Sequence, residues 1–138
     1  MTFGRAARSG ATAALVWAAL EPVDTRLLGH DYSDVALLGK AVTRGRAWPL
    51  AGLVVHAANG AAFGVVYREA RKRYGVSAVQ LALVESTVLF PIAFVTDRVH
   101  PARGSRGLAP LFSKRGFVQT TARHLLFGVV LGWLAGDE

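Results

Sequence analysis

The sequence predicts an all-α integral membrane protein with four transmembrane helices, organised as a single membrane domain over residues 1–138. Its composition is more apolar than is usual for a soluble domain of this size, with 52% hydrophobic and 18% charged residues and a mean hydropathy of +0.34. Apolar runs long enough to cross a hydrocarbon core of about 30 Å recur along the chain. The 16 lysines and arginines fall mostly between those runs, as membrane anchors do.

The first two apolar segments differ in how strongly they predict a membrane span. The first, at about 11–29, is strongly apolar only over Ala11–Leu20. It is compatible with a retained span or with the apolar region of a signal peptide. The second segment, Ala47–Tyr67, contains no formally charged residue and is the clearest candidate for a span.

The third and fourth segments each carry one charge inside an apolar run. The third, Ser77–Val95, contains Glu85, and the fourth, Phe117–Ala135, contains Arg123. A charge in the bilayer costs from about 2.5 kcal/mol upward, so both groups are expected to face the interior of the bundle. Arg123 is expected to pair with Glu21, Asp24 or Asp97, or to extend toward the membrane surface.

The second and fourth segments share a motif, His-x3-Gly-x3-Gly, at His56, Gly60, Gly64 and at His124, Gly128, Gly132. Each motif follows a segment that ends in Pro, Asp and Arg, and then a loop. This order predicts an internal two-helix repeat, with repeat one at about 11–67 and repeat two at about 77–136. The repeats would be related by a pseudo-two-fold axis along the membrane normal, and the glycines would form helix-packing faces or a homo-oligomer contact.

Two loops, 30–46 and 99–116, are predicted to lie at the same membrane face, on the surface or re-entrant. The first contains a short amphipathic helix that starts near Ser33 or Asp34. Most of the polar residues inside the segments converge on this face. They predict a polar half-cavity that contains Glu21, Asp24, His56, Asn59, Glu85, Asp97, Arg98, Arg123 and His124.

This cavity favours a transport or channel component, or an assembly subunit of a membrane complex, in which Glu85 and the two histidines bind or relay a solute or proton. An alternative is a b-type haem protein, because His56 and His124 lie at matching depth on different helices and could be axial ligands. Haem b is therefore a candidate cofactor, and the chain shows no metal-binding helix motif.

A third interpretation is a membrane enzyme that acts on a lipid or polyprenyl head group. Acidic, basic and histidine side chains gather in the loops, at Asp24, Arg26, His30, Asp31, Asp34, Asp97, Arg98 and His100. No spacing among them assigns a catalytic residue. We expect membrane lipid as a partner, no nucleic acid, and a multi-pass location in the cell membrane, with the polar loops on the cytoplasmic side.

Overall fold

The computed structural model describes residues 1–136 and contains five α-helices and no strand within that range. Four of the helices are long, and the second is a short surface helix. Their bounds are α1 Phe3–Leu28, α2 Asp34–Val42, α3 Trp48–Tyr74, α4 Ala78–Val99 and α5 Lys114–Ala135. The all-helical prediction is confirmed, and each long helix extends past the apolar run that predicted it.

The helix ends follow from local sequence. The Ser33 side chain accepts a hydrogen bond from the Ala36 amide and starts α2, as predicted. Ser77 and Gln80 form a reciprocal capping box at the start of α4. Gly29 ends α1 and Gly75 ends α3 in the left-handed conformation, with φ of 58° and 69°. Pro22 and Pro91 lie inside α1 and α4, so neither proline ends its helix.

Small residues bring α1 and α3 into direct backbone contact. A Cβ atom on Gly60 would lie 2.5 Å from the Ala14 Cβ, and one on Gly64 would meet the Ala6 carbonyl. Gly10 approaches the Gly60 backbone from the opposite helix. This close approach is the packing mode expected of small residues four apart.

The second helix pair packs through the corresponding glycine. A Cβ atom on Gly128 of α5 would lie 2.8 Å from the Val79 Cα and 3.2 Å from the Ala82 Cβ of α4. Gly132 is also buried on this helix. Helix α1 additionally packs on α5, whereas α3 and α4 scarcely touch. The four long helices therefore enclose a gap between α3 and α4.

Two helices, α3 and α4, are long and apolar enough to cross a membrane, with mean hydropathies of 1.5 and 1.9 over their most apolar windows. Most of each window faces outward, since only 28% and 22% of it is buried. Leu50 and Val54 of α3 and Val84 and Val88 of α4 are more than half exposed.

The two loops of the predicted polar face pack on each other and on α3. Gly39 of α2 lies against the backbone of Trp48, and Gly52 of α3 lies against Val35. The Asp31 carboxylate accepts a hydrogen bond from the Gly107 amide at 3.0 Å, and the His100 ring is 2.9 Å from the Leu37 carbonyl. Helix α2 and residues 99–113 thus form one layer over the ends of the long helices.

Candidate functional site

A buried arginine organises the polar interior. Arg123 of α5 is 2% exposed, and its Nε and Nη2 atoms each donate a 2.6 Å hydrogen bond to one oxygen of Asp24. Its Nη1 atom lies 2.9 Å from Asp34 Oδ2 and 3.6 Å from Glu21 Oε1. Nη2 also donates to the Tyr32 carbonyl at 3.0 Å. One guanidinium therefore meets three carboxylates from α1 and α2.

Other donors hold these carboxylates in place. Glu21 accepts from the Ser33 hydroxyl at 2.5 Å and from the Asp34 amide at 2.7 Å. Asp34 accepts from the Tyr32 hydroxyl at 2.7 Å and from Trp17 Nε1 at 3.0 Å. Burial, reinforced by the Asp34 charge and hydrogen bond, raises the pKa of the Tyr32 phenol well above its ordinary value, so this hydroxyl remains a donor.

Helical spacing explains how the sequence assembles this group, which we call the Arg123 cluster (Trp17, Glu21, Asp24, Tyr32, Asp34, Gln119 and Arg123). Trp17, Glu21 and Asp24 recur at four and three residues and so share one face of α1. Gln119 lies one turn before Arg123 and donates to Asp24 Oδ1 at 2.7 Å. The Ser33 cap places Asp34 in the first turn of α2, where a carboxylate is favourable.

Trp17 links this cluster to the two motif histidines. Its indole makes T-shaped contacts with both histidine rings, at a centroid distance of 5.2 Å from His56 and 4.8 Å from His124. Phe127 completes the aromatic group at 6.2 Å. The structure thus brings His56 and His124 to one cavity, with the indole packed against both.

The motif histidines leave hydrogen-bond acceptors in the interior. His124 Nδ1 lies 2.7 Å from the Thr120 carbonyl, so Nδ1 carries a proton, and in the neutral ring Nε2 has the free lone pair. That Nε2 faces Glu85 Oε2 at 3.7 Å. The His56 ring is hydrogen-bonded to the backbone of Ala14, and within residues 1–136 its buried Nε2 has no hydrogen-bond partner.

Three adjoining cavities run from this region to the loop layer. The inner cavity, of about 170 Å³, is lined by Asp34, His56, Asn59, Glu85 and His124 together with apolar residues. The middle cavity, of about 200 Å³, shares Asp34 and His124 with it. The outer cavity, of about 120 Å³, shares Tyr32, Leu37, Thr96 and Leu111 with the middle one and reaches His100 and Arg103.

No family model, curated protein or solved structure matches the chain.

The predicted site residues divide into three groups. Glu21, Asp24 and Arg123 join in the Arg123 cluster, while His56, Asn59, Glu85 and His124 line the inner cavity. Asp97 lies outside both and lines the outer cavity, where it accepts hydrogen bonds from the Leu111 and Phe112 amides at 2.9 and 2.8 Å. Arg98 stacks its guanidinium on the Phe94 ring at 3.4 Å and donates to the Phe94 carbonyl.

Helix geometry accounts for the position of Asp97. It follows Glu85 by twelve residues, which corresponds to about 18 Å along α4 and about a third of a turn around it. In the sequence, the residue before the motif histidine is Arg123 in one motif and Val55 in the other.

Sequence reasoning missed Trp17, Tyr32 and Gln119 as members of the Arg123 cluster, and it placed Asp34 at the start of the loop helix and among the loop groups of the enzyme interpretation, not beside Arg123. Trp17 and Gln119 each lie one helical turn from a charged member of the cluster, a spacing that is visible in the sequence. The places of Tyr32 and Asp34 depend on how the loop folds back, and no local pattern indicates that.

The geometry of the site restricts which cofactors it could hold. Within residues 1–136, no group of three histidine or carboxylate side chains is close enough to hold a metal ion. The inner cavity of about 170 Å³ is smaller than the roughly 300 Å³ at which pockets for drug-sized ligands begin. A haem held by His56 and His124 would also have to displace the Trp17 indole.

Proposed function

We propose that the protein is a multi-pass component of the cell membrane that admits a small polar solute, or a proton, from the loop side to the middle of the bilayer. The observation that carries this proposal is the row of three adjoining cavities that ends at Glu85 and the two motif histidines. Ionisable groups at such a depth are typical of solute and proton pathways.

The Arg123 cluster supports four spans. Helices α1 and α5 are less apolar than α3 and α4 partly because they carry Glu21, Asp24 and Arg123. Those three charges face one another, with Glu21 and Arg123 buried and Asp24 23% exposed, so most of their polar surface is shielded from lipid. At about 1.5 Å per residue, the 22 to 27 residues of each long helix reach about 33 to 40 Å, enough to cross the hydrocarbon core.

The packing also supports the two-helix repeat. In each half, a motif glycine of the second helix meets small residues of the first helix, Gly60 against Ala14 and Gly128 against Ala82. Under a pseudo-two-fold axis, the tight α1–α5 contact corresponds to the α3–α4 pair, which barely touches. The row of cavities therefore lies where the packing of the two helix pairs departs from the pseudo-two-fold symmetry.

Basic residues at both ends of the long helices fit contact with lipid head groups. The loop side carries Arg26, Lys40, Arg44, Arg46, Arg98, Arg103, Arg106, Lys114 and Arg115, and the opposite side carries Arg5, Arg8, Arg68, Arg71, Lys72 and Arg73. The larger number on the loop side favours a cytoplasmic opening for the cavities.

The test uses the absence of cysteine from the sequence. Leu89→Cys and Val88→Cys are neighbours on α4, but Leu89 lines the inner and middle cavities and Val88 does not. In membrane vesicles, a charged, membrane-impermeant thiol reagent is expected to label Leu89→Cys from the loop side and to leave Val88→Cys unlabelled in lipid.

The exposed fractions of the two residues make Val88→Cys a strict control for Leu89→Cys. Val88 is 64% exposed and Leu89 is 44% exposed, so a protein surrounded by water would react at least as fast at Val88→Cys. Equal labelling of both variants would therefore contradict the membrane-spanning arrangement.

Purified protein in liposomes loaded with a pH-sensitive dye then reports proton flux, which Glu85→Gln is expected to abolish. An accessible cavity without flux or solute uptake would favour a membrane-complex assembly subunit instead.

A further inference from the structure

The inner cavity has more acceptors than donors, because the Asn59 amide and the Trp17 indole are its N–H donors and the indole already donates to Asp34. Glu85 is the acidic residue on its α4 side, and neither lysine nor arginine lines it. Asp34 also reaches this cavity, but Arg123, Tyr32 and Trp17 already satisfy that carboxylate. Glu85 meets only the Nε2 of His124, at 3.7 Å, among the described residues.

The two histidines add to this excess of hydrogen-bond acceptors over donors. His124 donates through Nδ1 to the Thr120 carbonyl, so when its ring is neutral and Glu85 is ionised, Nε2 and the carboxylate are two acceptors that face each other. His56 is 7% exposed and lines the same cavity, and its buried Nε2 atom has no hydrogen-bond partner among the described residues. A buried polar atom without a partner is costly, so the cavity is prepared for a ligand that brings donors.

We propose that the inner cavity binds a small primary ammonium ion, with Glu85 as its counter-ion and the Nε2 atoms of His124 and His56 as hydrogen-bond acceptors. An alkylammonium group has three N–H donors and no acceptor, which matches this set. This inference deepens the proposed function by naming the class of solute, and it rests on that function for the route of access.

Size and wall chemistry agree with such a ligand. The cavity of about 170 Å³ has room for about five heavy atoms, at roughly 30 Å³ for each water-sized group. Trp17, Phe63 and Phe127 line it, and aromatic faces attract cations. Metal coordination needs ligands within about 2.0–2.5 Å of one centre, whereas an ammonium nitrogen reaches acceptors at about 2.8 Å.

The experiment measures binding of ethylammonium to the purified full-length protein in detergent near neutral pH, by ligand-observed NMR and by the shift in melting temperature. Binding is expected with a Kd on the order of 1 mM, as suits so few atoms. Glu85→Gln should weaken it by about tenfold or more, since a hydrogen bond to a charged group is lost. Glu69→Gln, which changes an exposed carboxylate beside Arg68, should leave the Kd unchanged.

Two further measurements keep the proposal falsifiable if Glu85→Gln does not fold. Asn59→Lys, at an exposed residue of the cavity wall, would supply a tethered ammonium and should abolish binding. Tetramethylammonium and ethanol, which lack either N–H donors or charge, should bind at least about tenfold more weakly. Equal affinity for these probes, or unchanged binding in both cavity variants, would overturn the ammonium site.

The outcome separates this inference from the proposed function. Labelling of Leu89→Cys in vesicles without any ethylammonium binding overturns the ammonium site and leaves the solute pathway intact. Binding in detergent that depends on Glu85, without cysteine accessibility from the loop side, supports the site and contradicts the pathway.

Discussion

Arg123 and Asp24 form a two-point ion pair between α5 and α1, although 99 residues separate them in the chain. Both of its hydrogen bonds measure 2.6 Å, and the arginine side chain is 2% exposed. The planar guanidinium matches the carboxylate at both oxygens, which a lysine ammonium cannot do. The pair therefore fixes the relative rotation of the two helices as well as their separation.

Arg123→Leu is expected to destabilise the protein by about 3–5 kcal/mol, because three carboxylates would remain buried without their cation. Arg123→Lys should recover only part of that loss, since it keeps the charge but not the two-point geometry. The measurement is the free energy of unfolding in detergent. Arg115→Leu is the control, because Arg115 is exposed and makes only a 3.4 Å hydrogen bond to the Gly29 carbonyl. Equal stability of the Arg123 and Arg115 variants would show that the cluster is not a structural anchor.

The glycine contact between α1 and α3 gives a second prediction. In Gly60→Ala the new methyl group would meet the Ala14 Cβ and the Gly10 carbonyl oxygen, each at 2.5 Å, so the helices must separate. Such overpacking typically costs about 1–3 kcal/mol. Gly4→Ala is the matched change in α1, with no atom within 4 Å, and should be neutral or slightly stabilising. Melting temperatures of the two variants that fall equally would contradict the close contact.

The clearest sequence predictions came from features that are local. The uncharged run of the second segment predicts α3, and the Ser33 cap predicts α2, because each depends on residues next to one another. The predicted depth of Asp24 also made it a candidate partner of Arg123. Depth alone, however, offered Asp97 as well, and it could not separate the two carboxylates.

The remaining features depend on tertiary contacts. Asp34 reaches Arg123 only because α2 lies flat on α3, a contact that Gly39 and Gly52 permit. Trp17 lies within an apolar run, where nothing in the pattern distinguishes a lipid-facing indole from one that donates to a carboxylate. Side-chain direction in such a run is decided by helix packing, which a single sequence does not display.

The buried His30 predicts that the protein loses stability in mild acid. Burial lowers the pKa of His30 below its ordinary value, and the nearby Arg115 charge lowers it further. The unfolded chain therefore takes up this proton first, near pH 6.5, while the folded protein keeps a neutral ring. The stability that this difference contributes is fully present above about pH 6.5 and is lost as the pH falls toward the folded pKa.

The measurement compares melting temperatures at about pH 7.5 and about pH 5.5 for the natural protein and His30→Gln. The natural protein should lose more stability between these values, because the glutamine variant lacks the titrating ring. His100→Gln is the control variant. His100 is also buried in the loop layer, but its ring is hydrogen-bonded to the Leu37 carbonyl and the Ala102 amide. An identical pH dependence for the natural protein and His30→Gln would show that His30 does not titrate in this way.

The last prediction concerns haem. Bis-histidine ligation requires a flat macrocycle between the two rings, but the Trp17 indole contacts both and is fixed by its 3.0 Å hydrogen bond to Asp34. Purified protein expressed with a haem supply is therefore expected to show no Soret band, whether oxidised or dithionite-reduced. Trp17→Ala opens this space and tests the reason, because haem uptake by that variant alone would identify the indole as the barrier. A Soret band in the natural protein that disappears in His56→Ala and His124→Ala would instead require the indole to move, and would assign the two motif histidines to an electron-transfer site.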